Sequence, residues 1–185
     1  SLSYRKPDHR IAIVGMACRL PGAEDLPGLW RLLSDGVEAI GDAPGDRAGE
    51  LERGGFLDAV EQFDAGFFGI SPKEAQAMDP QQRLALELAW ESLEDCGLVP
   101  DRLHTATVGV YLGVMNSDYA DIASHASRGA ISHHSLPGLG RAAIANRISH
   151  VLGFHGPGFT VDTGQSSSLA AVHLACESLR TGESE

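Results

Sequence analysis

The feature that most constrains this chain is an alternation, from Val108 to Gly182, of short β-branched runs with longer segments of helical apolar spacing. Residues 108–114 and 159–162 read as strands, the second entered through a Gly156-Pro157-Gly158 turn. Between them, residues 138–152 read as a helix with Ala142, Ala145, Ile148 and Leu152 on one side. After Ser166, Leu169, Val172, Cys176 and Leu179 recur at i, i+3, i+7 and i+10, which predicts an amphipathic helix ending near Gly182. A further strand, central in its sheet, is expected at Ile11-Ala12-Ile13-Val14-Gly15. Alternating strands and helices predict an α/β fold with a mixed or largely parallel sheet. With 185 residues, 43% of them hydrophobic, the chain is long enough for one sizeable core.

The remaining segments are punctuated by proline and glycine. Leu29-Trp30-Arg31-Leu32-Leu33 predicts a short helix stopped at Gly36, and residues 41–55 a charged surface loop. Ser71-Pro72-Lys73-Glu74 has a capping serine, proline at the first helical position and glutamate three residues after the cap. Asp79-Pro80 repeats that logic, so a break near Asp79 and a fresh helix to about Asp95 are expected, buried over much of its circumference and stopped by Gly97 and Pro100. Residues 115–135 are expected to mix a short helix with loop.

Composition excludes several classes. A formal net charge of −11 provides no excess of Lys and Arg for phosphates, which argues against nucleic-acid binding. Arg141 and Arg147, six residues apart on a helix, read as a solvated face rather than a docking patch. No run has the roughly 18 apolar residues of a membrane span, and the first seven residues lack the apolar core of a signal peptide, so a cytoplasmic location is expected. Cys18, Cys96 and Cys176 are far apart and odd in number, and read as small buried apolar side chains rather than a disulfide framework or zinc site.

Chemistry concentrates at Val161-Asp162-Thr163-Gly164-Gln165-Ser166-Ser167-Ser168-Leu169, where a strand joins a helix through a tight polar turn. Such a turn lifts one side chain into a cleft. Backbone N–H groups at the helix start point into the same cleft, and the helix dipole favours a developing oxyanion or enolate there. Read on the residues alone, ordinary capping by Ser166 or its neighbours is the simpler account, since strand–turn–helix junctions are common and Gln is no nucleophile.

The same segment resembles the active-site motif of polyketide-synthase ketosynthases, in which the position of Gln165 holds cysteine and that of Gly164 is usually alanine. The resemblance extends in order through residues 11–22, Phe68-Gly69-Ile70-Ser71-Pro72-Lys73-Glu74-Ala75, Met78-Asp79-Pro80-Gln81-Gln82-Arg83, and Asn146-Arg147-Ile148-Ser149 to Gly156-Pro157, essentially the whole chain. It implies a five-layered αβαβα thiolase-like fold, with residues 1–185 as the N-terminal part of a single ketosynthase-like domain whose C-terminal half lies outside this sequence. The Gly164-Gln165 pair is similar to the variant of loading modules, the Gln-type ketosynthase. Those domains decarboxylate malonyl or methylmalonyl carried by an acyl carrier protein, releasing acetyl or propionyl starter units.

The implied catalytic residue is therefore Gln165, acting without covalent acylation because a carboxamide is not a nucleophile. Its side chain is expected to fill the space of an acylated cysteine and its backbone N–H to serve the oxyanion hole. Thr163, Ser166 and Ser167 are expected to shape the turn. The implied partners are the acyl carrier protein, a neighbouring acyltransferase and a second copy of the domain, with residues 159–162 near the dimer interface. No cofactor or metal is implied, since the substrate arrives on the carrier's phosphopantetheine arm.

Three rivals stand beside this reading. One is an inactive ketosynthase-like domain kept for docking or dimerisation, and another an elongating ketosynthase whose cysteine was exchanged for glutamine. The third, a dinucleotide site at Gly138-Leu139-Gly140-Arg141-Ala142-Ala143, lacks a preceding strand and a suitable acidic residue about 20 positions on. His125, His133, His134, His150, His155 and His173 fall in none of the family's histidine patterns. His133-His134 is discounted as a metal site because adjacent side chains are expected to diverge and no acidic or cysteine ligand follows at the right spacing.

Overall fold

Helices begin and end at the prolines and glycines that punctuate the sequence. In the computed structural model, which describes residues 10–45, 52–125 and 133–185, helix α1 spans Leu26–Asp35. The Asp25 side chain accepts from Gly28 N–H at its start, and Gly36, at φ 63°, ends it in the left-handed conformation. Two short antiparallel strands follow, β1 (Gly41–Asp42) and β2 (Arg53–Gly54), so part of the expected loop is a small hairpin; residues 46–51 lie outside the described residues.

Ser71 caps α2 (Pro72–Ala77) by accepting from Glu74 N–H at 3.2 Å, and Asp79 caps α3 (Pro80–Asp95) by accepting from Gln81 N–H at 2.8 Å. The helix break at Asp79 is thus made as the second proline requires. Only Gln82 and Leu86 of α3 are fully buried, the remaining apolar positions being half-covered. Helix α4 (Pro100–Leu103) leads to β3 (Val110–Gly113), followed by α5 (Asp118–His125), α6 (Ser135–Leu139) and α7 (Ala142–Leu152). Strand β4 (Gly158–Val161) and α8 (Ser167–Thr181) complete the order.

Strands β3 and β4 pair in parallel, Val110 opposite Gly158 through Gly113 opposite Val161, and both α7 and α8 pack against them. The core is Ile70, Met78, Leu86, Val110, Ala145, Ile148 and Leu152, backed by Phe63, Phe68, Trp90, Leu112 and Phe154. The predicted helix over 138–152 is two helices, because Gly140 and Arg141 interrupt it. Ala142 is exposed and Ile144 takes its place in the buried stripe.

Two expectations are corrected. Residues 11–15 form no strand; instead the segment crosses α3, with Met16 N–H donating to Asp95 Oδ2 at 2.9 Å and Gly15 so close that an added Cβ would sit 2.2 Å from the Ser92 carbonyl oxygen. A strand exists only where a neighbour supplies its ladder, and no described strand runs beside this one, so Ile13 and Val14 remain 80% and 68% exposed. Helix α8 forms as predicted, but Leu169, Val172 and Leu179 are exposed and Cys176 half-buried; the side it buries carries Ser167, Ala171 and Ser178. Cys18 and Cys96 are likewise half-buried rather than buried.

Candidate active site

The turn from β4 to α8 is held by its own short polar side chains. Gly164 lies at φ 66°, a conformation L side chains rarely adopt, and this lets the chain reverse between Thr163 and Gln165. The Ser167 hydroxyl accepts from Thr163 N–H at 2.9 Å and donates to the Gly164 carbonyl at 2.6 Å. The Ser166 hydroxyl donates to the Thr163 carbonyl at 2.9 Å and lies 2.9 Å from Thr163 Oγ1. Ser166, although at the cap position of α8, makes no side-chain cap bond, so the three hydroxyls brace the turn and the capping explanation fails.

Gln165 stands at the tip of this turn, exposed, at the carboxyl ends of two parallel strands. That is where open α/β sheets present ligand sites. Gly113 at the end of β3 abuts the start of α8; an added Cβ there would lie 2.5 Å from Ser167 C and Ser168 N. Strand and helix therefore fix the turn from behind.

Asp162 precedes the turn and accepts twice, from Gly164 N–H at 3.1 Å through Oδ1 and from the Arg141 guanidinium at 2.5 Å through Oδ2. The Gly164 N–H, and then Arg141, hold its carboxyl below the ordinary aspartate range. Spacing offered no sign of this pair, because its members stand 21 positions apart with the whole of α7 between them.

Arg147 corrects the solvated-face reading as well. Its side chain is only 10% exposed, donating to Gln82 Oε1 at 2.7 Å and to Glu74 Oε1 at 2.6 Å. Gln82 in turn donates to the carbonyls of Pro137 and Gly138 at 2.9 and 2.8 Å, so one polar network joins α2, α3, α6 and α7.

The other candidates do not converge on Gln165. Helix α6, not a strand, precedes Gly140, which removes the dinucleotide site. The His133 and His134 rings approach to 3.8 Å between centroids rather than diverging, yet no group of three metal-ligating side chains exists among the described residues. His150, His155 and His173 are exposed on separate elements or loops, and the side chain of His125 lies outside the described residues. Among the described residues, no helix is long and apolar enough to cross a membrane.

An α/β fold whose strand–turn–helix corner presents a polar residue at the carboxyl ends of two parallel strands defines the class. Sequence comparison narrows it: the description "Beta-ketoacyl synthase, N-terminal domain" matches residues 8–185. Polyketide synthase GfsA of Streptomyces halstedii is 54% identical over 192 residues, covering 96% of this chain and 3% of that protein. Spectinabilin polyketide synthase system protein NorA' of Streptomyces orinoci is 48% identical over 187 residues, covering 97% of this chain and 5% of that protein. Among solved structures, the ketosynthase from module 6 of the bacillaene synthase of Bacillus subtilis 168 superposes with a TM-score of 0.83 at 37% identity, covering 94% of this chain and 29% of that one. The chain belongs to the beta-ketoacyl synthase family, as the N-terminal part of a ketosynthase domain of the polyketide-synthase type. It spans a few per cent of the length of these curated relatives and under a third of the solved ketosynthase.

Proposed function

We propose that residues 1–185 are the N-terminal part of a loading-module ketosynthase-like domain that decarboxylates malonyl- or methylmalonyl-acyl carrier protein to supply acetyl or propionyl starter units. The observation that carries this reading is Gln165 at the exposed tip of the β4–α8 turn, where ketosynthases resembling this chain hold cysteine. A carboxamide forms no acyl-enzyme, which removes covalent condensation. Loss of carbon dioxide needs only that the resulting enolate be stabilised, and one preorganised oxyanion donor is typically worth about 10² to 10³ in rate.

The Gln165 side chain occupies the space of an acylated cysteine, and its backbone N–H contributes to the oxyanion hole. The left-handed backbone at Gly164 suits glycine, and a single exchange of cysteine for glutamine would have left the family's alanine at that position. The partners in this reading are the acyl carrier protein, a neighbouring acyltransferase and a second copy of the domain, in the cytoplasm, with no resident cofactor.

The test is intact-mass analysis of malonyl- and methylmalonyl-loaded carrier protein incubated with the complete domain and with its Gln165→Ala and Gln165→Cys variants. Loss of carbon dioxide that depends on Gln165 is the expected result. Undiminished loss in Gln165→Ala removes the side-chain role, and no loss with either substrate, the carrier still binding, overturns the decarboxylase in favour of a docking domain.

A further inference from the structure

Arg141 sits badly for the helix it begins. It occupies the N-cap position of α7 with no side-chain cap bond, and its positive charge opposes the positive end of the helix dipole. What it does make is a junction. Its Nη1 donates to Asp162 Oδ2 at 2.5 Å and to the Met115 carbonyl at 3.4 Å, so one nitrogen ties the α6–α7 corner to the chain just beyond both parallel strands. Asp162 passes the tie onward by accepting from Gly164 N–H, immediately before Gln165. The other side-chain bonds at the turn, from Thr163, Ser166 and Ser167, all close within it.

We infer that Arg141 is a positioning residue: acting through Asp162, it fixes the orientation of the turn and with it the placement of Gln165. The two side chains are 44% and 40% exposed, and an ion pair this open contributes little to global stability. A tether weak in stability still selects one turn geometry, and small misplacements at a reacting centre cost large factors in rate.

The consequence for rate rests on the proposed decarboxylase, so the experiment reads the tether in two independent ways on the complete domain. Hydrogen–deuterium exchange over residues 162–168 needs no substrate. In Arg141→Ala it is expected to speed up by roughly tenfold while β3 amides and the melting temperature stay unchanged, the signature of local opening. Decarboxylation of carrier-borne malonyl or methylmalonyl is expected to lose roughly tenfold to a hundredfold in kcat with KM unchanged. Arg141→Lys, which keeps the charge, restores both. Asp162→Asn, which keeps the Gly164 acceptor but drops the charge, matches Arg141→Ala, and the double variant is no worse than either single change.

Unaltered exchange at the turn in Arg141→Ala overturns the inference, as does faster exchange with an unchanged rate. A wild-type domain that releases no carbon dioxide overturns the decarboxylase alone, and the exchange data then decide the tether.

Discussion

Replacing Arg147 by methionine tests whether its polar network holds the α2–α3–α6–α7 corner together. Methionine keeps much of the apolar stem, so the loss is of hydrogen bonds and charge rather than of volume. Gln82 is 1% exposed, and without Arg147 its Oε1 is left without that charged donor. A buried acceptor stripped of its partner costs about 1–3 kcal/mol. Glu74 is 29% exposed and can turn to water, adding roughly 0–1 kcal/mol. Arg147→Met is therefore expected to destabilise by about 1–4 kcal/mol. Guanidinium unfolding of the complete domain measures it, with the m-value checked for constancy.

The companion variant Glu74→Gln separates the charge pair from the amide bond. It is expected to be destabilising in the parent and close to neutral in the Arg147→Met background, where no cation remains beside it. A loss below about 0.5 kcal/mol for Arg147→Met, the range of ordinary surface substitutions, would refute the argument. So would an equal cost of Glu74→Gln in both backgrounds.

Three further outcomes follow from packing and charge. Leu86→Ala, at a side chain with no exposed area, is expected to cost about 2–5 kcal/mol in the same unfolding assay. Gly138→Ala would put a Cβ 2.1 Å from the Ala77 carbonyl oxygen, where rigid backbone cannot yield, and is expected to cost about 1–3 kcal/mol, whereas Gly41→Ala, which meets nothing, stays near neutral. Burial, with Glu91 adding to it against the pull of Arg19 and Arg83, raises the Glu87 carboxyl above its ordinary value. A raised folded-state value means that the favourable contribution is full below the unfolded value and is lost as pH rises through the folded one, so Glu87→Gln is expected to stabilise at about pH 8 and do nothing at about pH 4.

Local rules were legible because they act within a few residues. Ser71, Pro72 and Glu74 marked the start of α2, Asp79 and Pro80 the break into α3, and Gly36 the end of α1, since each cap is made by a neighbour in sequence. The β4–α8 turn was legible for the same reason: its bracing bonds run between Thr163, Gly164, Ser166 and Ser167. What spacing could not show are pairs made by tertiary approach, Arg141 with Asp162 and Arg147 with Glu74 and Gln82. Arg141 and Arg147 look like solvated helix charges until the elements are assembled.

Periodicity fails differently at α8. The recurrence of Leu169, Val172, Cys176 and Leu179 reports which side chains line up along one face, and that much is observed. It carries no information about what lies opposite. Toward β3 the helix needs small residues, because Gly113 lies against its first turn; Ser167, Ala171 and Ser178 form its buried side while the larger stripe faces away. The same holds at Ile13 and Val14, whose β-branched chemistry predicts a buried strand but whose burial depends on a neighbour that no local pattern specifies. Sequence pattern thus reads the chain's own preferences faithfully, and burial is decided by the surfaces those preferences meet.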